Sequence, residues 1–190
     1  DKNKLKFLIK KIIAKLNYNS IICASEYEYE ILSKIVNPNK IHLIKTGVEI
    51  GKKKEKINKK RKILYVGRLE KVKGFDIFME AIRDTNYDIN IIGTGSLKEI
   101  IPHKKNISYF GPLNHNEVIE KMRENDIIVM PSRSEGFPLV LYEAMTNGLI
   151  IICSDIPQFT NLTSKTEGLF VFKELSANNL KEKIEEIIVK

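Results

Sequence analysis

Ile127-Ile128-Val129-Met130 is an apolar run four residues long, a length that suits a buried strand and is too short for a helix. It runs into P-S-R-S-E-G-F-P, a loop holding two prolines and a glycine. Pro138 then stands where a helix would begin. Leu139, Val140, Leu141, Ala144 and Met145 supply that helix's apolar side, and Asn147-Gly148 reads as its stop. The first N–H groups of a helix lack internal acceptors and carry the positive end of its dipole, a ready seat for phosphate. Glu135 in the loop and Glu143 in the helix flank that seat. One carboxylate can accept hydrogen bonds from a sugar and the other from a ribose diol, so the stretch reads as a nucleotide-sugar site. The plainer alternative is a tight turn between two solvated carboxylates.

The same strand–loop–helix unit recurs on both sides. Ile63–Val66 is a strand, followed by G-R-L-E-K-V-K-G at 67–74 and an amphipathic helix from Phe75 to about Arg83. Ile89–Ile92 ends in G-T-G-S. Ile107–Phe110 ends in G-P-L-N, where Asn114 can cap a helix over Glu117–Arg123. Ile150–Cys153 and the run 167–171 are further strands. Ala177–Ile188 is a closing helix with Glu182, Glu185 and Glu186 facing outward. Six strands alternating with helices argue a parallel sheet covered on both faces, with ligands at the C-terminal ends of the strands.

Gly67-Arg68, Gly93-Thr94-Gly95, Gly111-Pro112 and Ser132–Glu135 each follow a strand, so four loops share one rim. Arg68 and Lys73 project from the first of them. Two cations there could stabilise the charge on a departing diphosphate, a task metal ions perform elsewhere, or they could be ordinary surface charges. The G-T-G is not a dinucleotide fingerprint, because its third glycine would fall at Lys98. His115 reads as a lone, exposed loop histidine and as incidental.

Ahead of this half, residues 4–16 carry Leu5, Leu8, Ile9, Ile12, Ile13 and Leu16 at helical spacing among lysines. Such a helix can pack on a sheet or lie on a membrane. Ser20–Ala24 is a short strand. Ser25 caps a helix with Glu26 and Glu28 in its first turn, which should end near Asn37-Pro38. Ile41–Ile44 is a second strand. G-K-K-K-E-K-I-N-K-K-R-K, residues 51–62, is a basic run that self-repulsion keeps extended, hence an inter-domain linker.

Charge is unevenly placed: residues 1–62 hold 17 of the 32 Lys/Arg but 6 of the 24 Asp/Glu. No nucleic-acid recognition motif accompanies those lysines, so a solvated surface or an anionic membrane surface is the partner they suit. Cys23 and Cys153 lie in apolar runs with no disulfide framework, and three scattered histidines offer no metal cluster. No run approaches a membrane span and no signal-peptide pattern is present. These features fit a cytoplasmic protein, one that could sit peripherally on the inner face of the membrane. The sequence begins at Asp1 rather than Met, which suggests a fragment.

S-E-G-F-P-L-V-L-Y-E-A-M-x-x-G, with seven residues between Glu135 and Glu143, resembles the signature of retaining, GT-B-fold glycosyltransferases of family 4. G-R-L-x-x-x-K-G at 67–74 resembles that family's second motif, whose Arg and Lys hold the donor diphosphate. The 20–49 segment resembles the end of the family's N-terminal domain, although of its K-T-G-V-E turn only Gly47 and Val48 match well. At 154–162, Gln158, Thr160 and Asn161 replace the expected glycine, proline and glutamate, so no site residue is carried there.

The resemblance implies an α/β, Rossmann-like parallel-sheet domain, the C-terminal half of a GT-B fold, at residues 63–190. A remnant of the acceptor-side domain would occupy residues 1–50. It also implies hexose transfer, with retention, from a UDP- or GDP-sugar to a glycan or glycolipid hydroxyl. Arg68 and Lys73 would neutralise the diphosphate and Glu135 would contact the sugar, these three being the catalytic set. Gly67, the backbone at Leu113, Gly136, Phe137, the N–H groups of Leu139 and Val140, and Glu143 at the ribose would complete the donor site. No metal and no cofactor beyond the donor are expected. The alternative is a non-catalytic nucleotide- or partner-binding module that kept the fold.

Overall fold

The computed structural model describes residues 18–51, 61–163 and 166–189. The helix expected at 4–16 and most of the expected linker lie outside them. The chain divides into two compact units, Asp1–Gly47 and Val48–Lys190.

In the first unit, β1 (Ile21–Cys23) lies parallel to β2 (Ile41–Leu43), with α1 (Glu26–Ser33) between them in the chain. Ser25 caps α1 by accepting from Glu28 N at 3.2 Å, and the Glu28 carboxylate accepts from Ala24 N at 2.9 Å, a reciprocal cap. The helix stops at Ser33, short of the expected Asn37. Pro38 bars helix immediately before it, and the Asn37 side chain binds Asn39 N at 3.0 Å to start a 3₁₀ turn over Pro38–Lys40 instead.

The second unit is one six-stranded, wholly parallel sheet. Its strands are β3 (Lys62–Val66), β4 (Asp88–Ile92), β5 (Ile107–Gly111), β6 (Ile127–Met130), β7 (Ile150–Ser154) and β8 (Leu169–Phe172). Their spatial order is β5-β4-β3-β6-β7-β8. Lys62, expected in the linker, is the first residue of β3. The helices are α2 (Phe75–Ala81), α3 (His115–Glu124), α4 (Leu139–Thr146), α5 (Pro157–Thr163) and α6 (Ala177–Val189).

Side chains alternate across the strands, so each strand feeds two cores. Ile63, Tyr65, Ile127 and Val129 pack with Phe75 and Phe78 of α2 and with Leu180, Ile184 and Ile187 of α6. Leu64, Ile128 and Met130 pack on the other face with Met122 of α3, Leu141 and Ala144 of α4 and Phe159 of α5.

Elements of this unit also differ from expectation. Helix α2 ends at Ala81, two residues early. Helix α3 begins at His115 because Asn114 and Glu117 form a full capping box, Asn114 Oδ1 accepting from Glu117 N at 3.1 Å and Glu117 Oε2 from Asn114 N at 2.8 Å. His115 is therefore a first-turn helix residue and not part of a loop. Where a glycine-rich loop was the family pattern, Pro157–Thr163 is helical, anchored by the fully buried Phe159.

From β3 the chain builds outward to β4 and β5, then returns to place β6 on the other side of β3. Strands β3 and β6 thus flank the point where strand order reverses, and the crevice beyond their C-terminal ends is where an open α/β sheet binds its ligands.

Candidate functional site

Two loops meet at that crevice. The first, after β3, carries Gly67, Arg68 and Lys73, the last in a 3₁₀ turn over Lys71–Lys73. The second, after β6, carries Ser132 to Pro138. Their close approach depends on Gly74, which adopts φ 67° and whose Cβ, if present, would lie 1.8 Å from the Pro131 carbonyl oxygen.

Arg133 locks the loops together. Its guanidinium donates to both Asp76 carboxylate oxygens, at 2.7 and 2.9 Å, and to the Lys71 carbonyl. Burial alone would raise the Asp76 pKa, but the hydrogen bonds and charge of Arg133 outweigh it and hold the carboxyl below its ordinary value. From beneath, the Tyr65 hydroxyl donates to the Arg68 carbonyl at 3.0 Å and lies 3.4 Å from that of Lys73. Burial, with the nearby charges of Glu135 and Asp76, pushes the Tyr65 hydroxyl above its usual pKa, so it remains a neutral donor.

The loops enclose a cleft of about 170 Å³ lined by Gly67, Lys73, Glu135, Phe137, Leu139 and Val140 among others. Six of the residues singled out in the sequence therefore line one cleft. Glu135 is 9% exposed. The Lys73 ammonium stands 2.5 Å from its Oε2, and the Ser132 hydroxyl donates to its Oε1 at 2.6 Å. The Gln158 amide donates to the Glu135 carbonyl at 2.7 Å, so a residue given no role in the sequence braces the loop. Arg68 projects from the rim, exposed and in no ion pair among the described residues. Gly136 is exposed, and Leu113 is half-buried against the core shared by α3 and α4.

One expectation, and the plainer alternative to another, need correction. The Leu139 N–H, assigned to an anion, donates to the Phe137 carbonyl at 2.9 Å, which leaves Val140 as the candidate donor at the start of α4. Neither carboxylate is solvated: Glu143 is 6% exposed and its Oε1 lies 2.9 Å from His115 Nε2. The histidine read as incidental is thus the partner of a key carboxylate. Of the residues missed, Tyr65 had a signal, a polar tip inside an otherwise aliphatic strand. Arg133, Gln158 and His115 had none, because each acts on a residue distant in sequence. Among the described residues, no three His, Cys, Asp or Glu side chains gather as a metal-holding group, and no helix is long and apolar enough to cross a membrane.

A parallel sheet with its cleft at this switch point is the C-terminal half of the GT-B architecture. The Anabaena protein Alr3699/HepE, solved in complex with UDP and glucose, superposes with a TM-score of 0.79 over 95% of this chain and 56% of its own, at 15% identity. The chain belongs to the family Glycosyl transferases group 1, which matches residues 48–190. It is 32% identical to an uncharacterized 41.2 kDa protein in the cps region of Klebsiella pneumoniae, over 86% of this chain and 50% of that protein. It is 27% identical to a GDP-mannose:cellobiosyl-diphosphopolyprenol alpha-mannosyltransferase of Xanthomonas campestris, over 84% of this chain and 46% of that one. The chain spans about half the length of these curated relatives.

Proposed function

We propose that this chain is the donor-binding half of a retaining hexosyltransferase that moves a hexose from a UDP- or GDP-sugar to a hydroxyl of a glycan or glycolipid. The observation that carries the reading is the Lys73–Glu135 pair at 2.5 Å in the switch-point cleft, with Arg68 free at its rim. A cation and a carboxylate side by side suit a ligand that presents a diphosphate next to a sugar. The Xanthomonas relative, which by name uses GDP-mannose, and the Anabaena complex with UDP and glucose support a nucleotide-sugar donor and leave both nucleotides in play.

In this reading Arg68, Lys73 and the Val140 N–H meet the diphosphate, Glu135 meets the sugar near its reacting carbon, and Glu143 with the backbone at Leu113 meets the nucleoside. Gly136 and Phe137 shape the wall beside the sugar. An ammonium has three hydrogens, so Lys73 can keep Glu135 and still donate to a phosphate oxygen. As the sugar–phosphate bond breaks, negative charge grows on the diphosphate, and cations already fixed there stabilise it without reorganising. Donor binding then needs no divalent metal. The excess of positive charge over residues 1–62 supports a peripheral seat on an anionic membrane at its cytoplasmic face, checked by co-sedimentation with anionic against neutral vesicles.

Calorimetry with UDP and GDP tests the donor role: binding of one of them is expected, and no heat with either on folded protein overturns it. Sugar transfer by this chain alone should be poor, because it spans about half the length of the curated relatives it matches; efficient transfer would contradict that. A non-catalytic module would show no turnover even with the acceptor-side domain supplied, which separates the two readings.

A further inference from the structure

We propose that His115 is a positioning residue that holds Glu143 for a ribose diol and so gives the site a preference for ribonucleotides over 2′-deoxyribonucleotides. The inference rests on the ribose role proposed for Glu143 and adds to it the group that sets that carboxylate's geometry.

His115 Nε2 and Glu143 Oε1 are 2.9 Å apart. A carboxylate only accepts, so Nε2 carries the hydrogen and donates a charge-assisted bond. The other oxygen, Oε2, has no hydrogen-bond partner among the described residues, and no fully buried side-chain oxygen or nitrogen among them lacks one. Oε2 is therefore the oxygen that solvent or a ligand reaches. The Glu143 side chain is 8% exposed and that of His115 57%, so the imidazole is the outer member of the pair and the carboxylate the inner one.

A mere staple between helices would be redundant here. Arg123 Nε of α3 already binds Asn147 Oδ1 beyond the end of α4 at 3.2 Å, and Asn147 Nδ2 binds the Glu143 carbonyl at 2.9 Å. Met122 anchors α3 in the core, and the Asn114–Glu117 box fixes its first turn. What His115 adds is control of one carboxylate rotamer. With Oε1 held, Oε2 and the remaining lone pairs point at fixed positions, as two adjacent hydroxyls require.

The test compares UDP with dUDP, or GDP with dGDP if the chain prefers guanine, in calorimetry on the 190-residue chain. Wild type should favour the ribonucleotide by about tenfold, the low end for one hydrogen bond to a charged acceptor. His115→Phe, which keeps the ring and removes the donor, should cut the preference below about threefold at unchanged pyrophosphate affinity. His115→Gln should restore it, because a glutamine amide reaches the place of Nε2. His115→Asn, whose amide reaches only the place of Nδ1, should not. If Glu143→Ala loses the preference while His115→Phe keeps it, the His115 inference fails and the Glu143 reading stands. If wild type shows no preference, or Glu143→Ala keeps it, the ribose reading fails and takes this inference with it, as does the absence of binding by either nucleotide. Recovery in Gln but not Asn is a result that a purely structural role for the ring would not produce.

Discussion

Glu135 and Glu143 lie at the two ends of one loop-and-helix stretch and are 9% and 6% exposed, yet their charges are compensated in different ways. Both oxygens of Glu135 are taken, one by the Lys73 ammonium and one by the Ser132 hydroxyl, and Gln158 holds its carbonyl. Glu143 has one oxygen on His115, a group whose charge depends on protonation, and its second oxygen is open. The partner of Glu135 comes from the loop after β3, that of Glu143 from the first turn of α3. A permanent counter-charge neutralises the first carboxylate and ties two loops together. A histidine pairs with one oxygen of the second and leaves the other as an open acceptor. Similar burial thus goes with two paired oxygens in one carboxylate and one in the other.

The largest effect that would sharpen this contrast is on stability. Lys73→Ala leaves a buried carboxylate without its cation and should cost about 3 kcal/mol, the low end for breaking such a pair because Lys73 is itself partly exposed. His115→Phe removes a partner that is more than half exposed and should cost less than about 1 kcal/mol, the scale of an exposed ion pair. Urea denaturation measures both, and equal losses would break the comparison.

Next is the division of labour in binding. Arg68→Ala should weaken UDP by about tenfold or more while leaving uridine nearly unchanged, since it removes a charge-assisted phosphate contact. Glu143→Ala should weaken UDP and uridine by the same factor, because its proposed partner is the ribose. An Arg68 variant with equal losses for both would place that residue elsewhere.

The smallest expected effect is that of chelation. If Arg68 and Lys73 meet the diphosphate as proposed, EDTA should change nucleotide affinity by less than about threefold, or roughly 0.7 kcal/mol. Binding lost in EDTA and restored by magnesium or manganese would show that the two cations do not suffice, and would turn attention to Glu135 as a ligand.

Much of the fold was legible because much of it is local. Ser25 and Asn114 as caps, the apolar strand runs and the helix stop at Asn147-Gly148 all depend on hydrogen bonds or spacing within a few residues. The parallel α/β class followed from the alternation, and the two Glu with G-F-P-L between them marked the crevice. Boundaries failed where a side chain chose between local options, as Asn37 did in capping a 3₁₀ turn over Pro38–Lys40 where α1 was expected to end. The helix at Pro157–Thr163 was missed because what holds it in place, the burial of Phe159 and the Gln158 contact to Glu135, is tertiary.

By itself the sequence determined most of the elements, their parallel arrangement and the candidate donor residues, since period, capping and turn chemistry act over short range. It could not order the strands: six apolar runs of similar length are interchangeable as hydrophobic surfaces until their helices pack. Only the tertiary structure set β3 beside β6, and that one adjacency brings Lys73 to Glu135 across 62 residues and Arg133 to Asp76 across 57. His115 reaches Glu143 across 28 residues for a related reason, because α3 and α4 share one face of the sheet. A carboxylate's neighbours in the chain decide its place on a helix, but its counter-charge comes through space, and no spacing in the sequence records it.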